Sequence, residues 1–164
     1  MTSVAQPGTR QRYSMAPTRT VQVPSRPMTR FVVDSSAVLH LASAGAAFTT
    51  RHELLAPTLL RSQTLSALHE AVHRGKLTAA VAREQLARIA RIPIRLLGDA
   101  VLRRRAWDLA DQLAWPSTYD AEYLALTQLQ ADAFITLDSK LARKARAVVR
   151  VASLDELTTS GRRR

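Results

Sequence analysis

The chain has 164 residues and a formal net charge of +11, with 46% hydrophobic and 23% charged residues. This length and balance are typical of one globular domain with a substantial core. The sequence has no cysteine, which excludes disulfides, thiolate zinc sites and cysteine nucleophiles and favours a reducing compartment such as the cytoplasm. No apolar run reaches the roughly 18 residues of a membrane span, so a membrane is not expected as a partner.

Much of the positive charge lies at the two ends of the chain. Residues 1–30 contain five arginines and neither lysine nor acid, and residues 162–164 are all arginine. The segment 31–161 therefore carries only +3. We expect a disordered basic arm over 1–30, one domain over 31–157 and a basic tail over 158–164. Such tails bind polyanions without carrying out chemistry.

Apolar periodicity predicts strands that alternate with helices from residue 31 onwards. A buried strand over 31–33 is followed by a first helical turn over 37–41. Later strands are predicted over 53–56 (stopped by Pro57), 92–97, 133–137 and 147–151. Helices are predicted over 58–74, 78–91 (capped by Thr78), 99–113, 120–130 (capped by Ser117 or Thr118) and 139–145. This alternation indicates an α/β fold whose mostly parallel sheet is covered on both faces.

Three aspartates fall where such a fold binds ligands, beyond the carboxyl ends of its strands. Asp34 follows the first strand, Asp138 follows the strand over 133–137, and Asp120 opens a helix. Each alone is also a common turn, cap or first-turn residue. Together they would repel one another unless a hard divalent cation lay between them. The combination favours a Mg²⁺ site that activates water against a phosphodiester.

Three segments carry a family resemblance. Residues 31–38 (FVVDSSAV), 119–126 (YDAEYLAL) and 135–142 (ITLDSKLA) resemble the diagnostic stretches of PIN-domain ribonucleases. They are most similar to the VapC toxins of prokaryotic toxin–antitoxin pairs, over about residues 30–157. The resemblance implies a PIN-like three-layer α/β/α sandwich and a Mg²⁺- or Mn²⁺-dependent endoribonuclease that hydrolyses RNA.

The same resemblance assigns roles to single residues. Asp34, Asp120 and Asp138 match the catalytic, metal-binding aspartates. Ser36 and Thr136 match the hydroxyl residues that support them. The resemblance also implies RNA as substrate, a small VapB-like antitoxin that inserts a segment into the acidic site, and a homodimer.

One position departs from the family pattern. The family usually has a glutamate after an Ala-Pro-x-Leu-Leu stretch, and here residues 56–60 read APTLL but the matching catalytic position is Gln63. Glutamine keeps the shape and one carbonyl oxygen, so it can hold a metal-bound water. It cannot act as a base or help neutralise the cation. The alternative is therefore a catalytically weakened PIN-fold module that binds RNA or protein.

A second motif points to zinc. His69, Glu70 and His73 form a literal H-E-x-x-H on a predicted helix, the pattern of zinc hydrolases. Arg74 directly follows and would place a cation beside the metal, and Glu84 is only a weak candidate for the third ligand. We interpret the two histidines as flanking the apolar stripe of an ordinary helix, and a zinc hydrolase is the less favoured alternative.

Overall fold

A four-stranded sheet forms the centre of the molecule. The structure, a computed structural model, describes residues 28–45 and 50–158. The strands are β1 (Arg30–Val33), β2 (Glu53–Pro57), β3 (Ile94–Leu97) and β4 (Ala133–Ile135). All pairings in this part of the chain are parallel, in the order β3-β2-β1-β4. The expected arm and tail lie outside the described residues, apart from residues 28–30 and residue 158.

Helices flank this sheet. They are α1 (Ser35–Ser43), α2 (Leu60–His73), α3 (Ala79–Ile89), α4 (Ala100–Gln112), α5 (Tyr119–Gln130), α6 (Ser139–Ala145) and α7 (Asp155–Thr158). Helices α1, α2 and α3 pack against one another, whereas α4 packs on α5, which lies against β1, β2 and β4. The predicted fold class is confirmed as an α/β protein with a parallel central sheet, consistent with a three-layer sandwich. None of the described helices has the length and apolar character of a membrane span.

The middle of the core lies between β1, β4 and α5. Phe31, Val32 and Val33 are almost completely buried, as expected for a strand that is covered on both faces. Helix α5 is buried over residues 121–127 except at Glu122, whose side chain is partly exposed. The strand ends next to this helix are therefore anchored in the best-packed part of the molecule.

One predicted strand is absent from the described residues, and three other predicted strand limits are wrong. Residues 147–151 form a single bridge between Val151 and Phe134 instead of a strand. The amides of Val148 and Val149 both donate to the carbonyl of Ala145, so the backbone is used in turns. Strand β4 ends at 135 instead of 137, β3 begins at 94 instead of 92, and Pro57 lies in β2 instead of stopping it.

Predicted helices agree more closely with the structure. Helix α6 has the predicted limits, and Thr78 caps α3 by accepting a hydrogen bond from the amide of Val81. At α5, Thr118 occupies the N-cap position without a side-chain cap bond, and Ser117 accepts from the amide of Tyr119. Helix α7 was not predicted. Its four residues are too short to show helical periodicity.

Candidate active site

The site lies at the carboxyl ends of β1 and β4. Val33 pairs with Ile135, and the amide of Asp34 donates to the carbonyl of Ile135 at 3.2 Å. This register places Asp34 beside Thr136, although 102 residues separate them in sequence. In open parallel sheets such a position, beyond the carboxyl ends of central strands, is where ligands bind.

The Asp34 carboxylate is buried and accepts three hydrogen bonds. Its Oδ1 accepts from the Ser36 hydroxyl at 2.7 Å and from the amide of Ala37 at 3.0 Å, and its Oδ2 accepts from the Thr136 hydroxyl at 2.5 Å. Burial raises the pKa of Asp34, and these hydrogen bonds oppose the rise. The Ser36 hydroxyl also accepts from the amide of Leu137 at 2.8 Å. Asp34 is therefore held in one orientation by groups from the segments that follow β1 and β4.

Asp138 lies in the segment that follows β4 and caps α6. Its Oδ1 accepts from the amides of Lys140 and Leu141 at 2.8 and 3.0 Å, and its own amide donates to the Thr136 hydroxyl at 3.0 Å. The bond from Leu141 is the main cause that lowers the pKa of Asp138. Its Oδ2 accepts no hydrogen bond from the described residues, so this oxygen is available to a ligand.

Asp120, the second residue of α5, completes the group. Loss of hydration raises its pKa first, and the charges of Asp138 and Asp34 raise it further, while Lys144 opposes them. Its carboxylate makes no hydrogen bond or ion pair within residues 28–45 and 50–158. The charges of Asp34 and Asp138 thus both reach Asp120, and among the described residues only Lys144, which forms no ion pair with it, partly offsets the charge of Asp120.

We tested whether these oxygens suit a divalent cation. Within the part of the chain that the structure describes, no three acidic or histidine side chains are spaced so that one ion touches all of them. Oδ1 of Asp34 accepts two hydrogen bonds and Oδ2 accepts one, so one lone pair on Oδ2 remains for a ligand. No donor in the described part of the chain uses the Asp120 carboxylate or Oδ2 of Asp138. This set of hard oxygens fits Mg²⁺, which binds through one or two carboxylates and keeps several waters.

Gln63 lies at the edge of this group, connected to it by a tyrosine. The Tyr123 hydroxyl donates to Oε1 of Gln63 at 2.6 Å and joins α5 to α2. Burial raises the pKa of Tyr123, as do the nearby charges of Asp34 and Asp120. Tyr123 is not among the site residues predicted from the sequence. Its spacing of three residues from Asp120, on one face of a helix, was the available signal.

The H-E-x-x-H residues form an ordinary helix surface. His69 and His73 are exposed on α2. Glu70 accepts from Arg74 at 2.5 Å and from the Ser66 hydroxyl at 3.1 Å. Across the described ranges, no third acidic or histidine side chain joins the pair at metal-binding distance, and the proposed third ligand, Glu84, is paired with Arg88 on α3. The structure gives the zinc interpretation no support.

Comparison with known proteins identifies the fold alone. No family model matches the chain, and no curated protein matches it significantly. Six chains of solved structures match. Among them is the crystal structure of PAE2754 from Pyrobaculum aerophilum, with 21% sequence identity and a TM-score of 0.63 over 79% of this chain and 92% of that one. At this identity the likeness shows a shared architecture.

Proposed function

We propose that the chain is a Mg²⁺-dependent endoribonuclease of the PIN-domain type and the toxin of a VapBC-type pair. The observation that carries the proposal is the convergence of Asp34, Asp120 and Asp138 at the ends of β1 and β4. The raised pKa of Asp120, caused partly by the other two charges, supports a cation as the missing partner. The PIN resemblance of the three segments supplies the substrate class, RNA.

The aspartates have different parts in this proposal. Asp34, Asp120 and Asp138 would hold Mg²⁺ or Mn²⁺ between them, partly through waters bound to the ion, and the ion would lower the pKa of a water and stabilise charge on the scissile phosphate. Asp34 is oriented by the hydroxyls of Ser36 and Thr136, so its oxygens need little rearrangement. Asp120 supplies oxygens that no group within residues 28–45 and 50–158 uses.

The basic side chains near the carboxylates suit a polyanion. Lys144 lies close enough to Asp120 and Asp138 to lower the pKa of both, and Lys140 acts in the same way on Asp138. Among the described residues, neither lysine forms an ion pair with these aspartates. Their ammonium groups would attract phosphates on either side of a cleaved bond.

Gln63 favours a second candidate, a PIN-fold module that binds RNA or protein with weakened catalysis. Because Oε1 of Gln63 accepts from Tyr123, its amide presents N–H donors to its other surroundings. A donor can hold a water or a phosphate oxygen, but it cannot accept a proton. A glutamate here would keep the bond to Tyr123 and restore the missing negative charge.

A protein partner is proposed on the same resemblance: a small VapB-like antitoxin in the cytoplasm, with the toxin as a homodimer. The exposed side chains of Leu65 and Leu86 support it, since they border an apolar cavity of about 460 Å³ between α2, α3 and β3. Exposed apolar surface of this kind marks protein contacts. Light scattering should give twice the chain mass of 18.1 kDa, and a monomer would contradict the dimer.

The test of the nuclease is RNA cleavage by the full chain with Mg²⁺ or Mn²⁺. We expect cleavage that EDTA, Asp34→Asn and Asp120→Asn each remove, and that the control Asp108→Asn retains. Asp108 is an exposed aspartate of α4 that receives the same chemical change outside the carboxylate group. Cleavage that persists in Asp120→Asn would refute the site. Silence of the parent combined with cleavage by Gln63→Glu would favour the weakened module.

Metal binding has a readout that does not depend on activity. A cation that binds only the folded chain, at ten times its Kd, stabilises it by about 1.4 kcal/mol. For a domain of this size that raises Tm by roughly 3–6 °C. Mg²⁺ should raise the Tm of the parent and of Asp108→Asn but not that of Asp120→Asn. An equal rise in all three would show that the ion binds elsewhere.

A further inference from the structure

The two edges of the sheet are covered differently. Beyond β4, the segment around Val151 runs beside Phe134. The amide of Phe134 donates to the carbonyl of Arg150 at 2.9 Å, and the amide of Ala152 donates to the carbonyl of Phe134 at 2.8 Å. Strand β3 forms the other edge, and no strand of the described residues pairs with its outer side. An edge strand presents a row of unpaired backbone groups, which is a template for another strand.

The register of β3 identifies the backbone groups that face outwards. In a parallel pair, alternate residues of a strand direct both backbone groups to the same neighbour. The carbonyl of Leu97 accepts from the amide of Thr58 at 3.0 Å, so Leu97 and Arg95 face β2. Ile94 and Leu96 therefore face the open edge. The amide of Ile94 bonds to the preceding turn at 2.8 Å, which leaves its carbonyl and both backbone groups of Leu96 unpaired within the described ranges.

Each face of this edge offers a different surface. Ile94 and Leu96 help to line the apolar cavity of about 460 Å³ between α2, α3 and β3. Arg95 points to the opposite face, where its guanidinium pairs with Glu53 at 3.1 Å. Side chains alternate between the two faces along a strand. A strand added to β3 would therefore place every second side chain over the cavity and the intervening ones beside a cation.

The charge around this edge is mainly positive. Glu53 is shared between Arg95 and a second arginine, so this group of two cations and one anion has a net charge of +1. Arg61 lines the cavity and Arg91 precedes β3, and neither exposed side chain forms an ion pair within the described part of the chain. Asp99, just after the strand, is occupied in capping α4. The edge is therefore complementary to acidic side chains.

We propose that the β3 edge binds an extended segment of a partner protein in which apolar and acidic residues alternate. The segment pairs with the backbone groups of Ile94 and Leu96, places its apolar side chains in the cavity and sets its acidic side chains beside Arg95. In this mode of recognition, backbone hydrogen bonds supply affinity and pockets for alternate side chains supply specificity. The proposal does not depend on the nuclease, whose carboxylates would attract a basic segment instead of an acidic one.

Charge argues against two other occupants of the edge. A second copy of the chain that paired its own Leu96 with Ile94 would set the two Arg95 side chains directly opposite each other, and like charges in that position are destabilising. Residues 1–27 of the same chain contain four arginines and no acidic residue, so a positive edge repels them. An acidic partner is the occupant that this edge favours.

The test uses short synthetic peptides that alternate valine with glutamate, titrated into the full chain and followed by fluorescence anisotropy. A series of these peptides carries one N-methyl group, placed on successive backbone amides. Every second N-methyl group should weaken binding about 5- to 150-fold, because a hydrogen bond is lost and its acceptor on β3 stays unpaired. The intervening groups face away from β3 and should have little effect. A loss of binding that does not alternate along the peptide would overturn the proposal.

A charge exchange tests the face that carries Arg95. Arg95→Glu should weaken binding of the glutamate peptide about 2- to 30-fold, since an exposed attraction becomes a repulsion of similar size. The same variant should strengthen binding of a peptide that alternates valine with lysine. Arg146→Glu makes an equal change of charge at the end of α6, which follows β4, and should alter neither affinity. An equal loss in both variants would show a general attraction to positive charge and refute the edge site.

Failure of this proposal can be told apart from failure of the proposed nuclease, because the same preparations are assayed for RNA cleavage. Peptide binding with the alternating pattern, by a chain that cleaves no RNA, would support the edge site and contradict the nuclease. Cleavage by a chain that binds none of the peptides would overturn the edge site and leave the nuclease standing. A chain mass that doubles only in Arg95→Gln, where the opposed cations are absent, would assign the edge to a second copy instead of an acidic partner.

Discussion

Replacement by asparagine should separate the structural and catalytic parts of two site aspartates. Asp34 accepts three hydrogen bonds from inside the fold, whereas Asp120 accepts none within the described ranges. We therefore expect Asp34→Asn and Asp120→Asn both to abolish Mg²⁺-dependent cleavage, but only Asp34→Asn to lower the stability of the chain.

The loss of stability in Asp34→Asn comes from the replacement of Oδ2 by an amide nitrogen. Asparagine is as good an N-cap as aspartate, so the bond from Ala37 to Oδ1 can be kept. The new amide nitrogen then faces the Thr136 hydroxyl, which now donates to Oδ2 and already accepts from the amide of Asp138. Leaving one buried donor without an acceptor costs about 1–3 kcal/mol. For this chain length, Tm should fall by roughly 2–12 °C.

Asp120→Asn should change stability in the opposite direction or not at all. Loss of hydration and two neighbouring carboxylates raise the pKa of Asp120 in the folded chain. A raised carboxyl pKa means that the ionised form is less favourable in the folded than in the unfolded state. The amide removes this penalty at neutral pH. The difference in Tm from the parent should shrink as the pH falls through the raised pKa of the folded state and vanish below the ordinary value of 3.8, where the carboxyl is protonated in both states.

The assay is thermal unfolding in EDTA at neutral and acidic pH, beside RNA cleavage with Mg²⁺, for the parent, both variants and Asp108→Asn. We expect the Tm of Asp120→Asn to equal or exceed that of the parent and the control. A larger loss of Tm in Asp120→Asn than in Asp34→Asn would refute the electrostatic reasoning. Stable but active Asp120→Asn would instead refute the assignment of its carboxylate to the reaction.

Other changes test other parts of the structure. Lys144→Gln should tighten Mg²⁺ binding, because a cation is removed from beside the carboxylates, and it should weaken RNA binding. Calorimetric titration measures the first effect and fluorescence anisotropy the second. If both affinities rose or both fell, the role of the lysine would be contradicted. Gly98→Ala places a Cβ 2.7 Å from Oγ1 of Thr58. We therefore expect a loss of about 1–3 kcal/mol in the free energy of unfolding, measured by urea denaturation. An unchanged urea midpoint would show that the threonine side chain moves aside freely. His69→Ala should leave metal content and Tm unchanged, whereas stoichiometric zinc in the parent that this variant loses would restore the zinc interpretation.

The sequence alone was sufficient for elements whose signals are local. The run Phe31–Val33 is apolar throughout because both faces of β1 are covered, and that pattern is legible without a structure. The start of helix α6 could be placed because Asp138 caps it through two backbone amides. The three aspartates were likewise found from their positions after strands and at a helix start.

Elements that depend on competing backbone partners could not be placed in this way. Residues 147–151 have the composition of a strand, but turn bonds to Ala145 use the amides that a sheet would need. The pairing of Val33 with Ile135, which places β4 beside β1 in the strand order, joins residues about a hundred positions apart. Local periodicity does not specify which strands pair, because the pairing depends on which apolar surfaces pack against each other in the folded chain.

The tyrosines of α5 show what the tertiary structure decided at the site. Tyr119 and Tyr123 are four residues apart and share a helix face by sequence, yet one is 64% and the other 1% exposed. The sequence determined their spacing and their closeness to Asp120. Only the packing of α5 on the sheet decided that the first residue of the helix stays in solvent while the next turn is buried against the core. The sequence therefore specified which chemical groups are present, and burial decided which of them a ligand can reach.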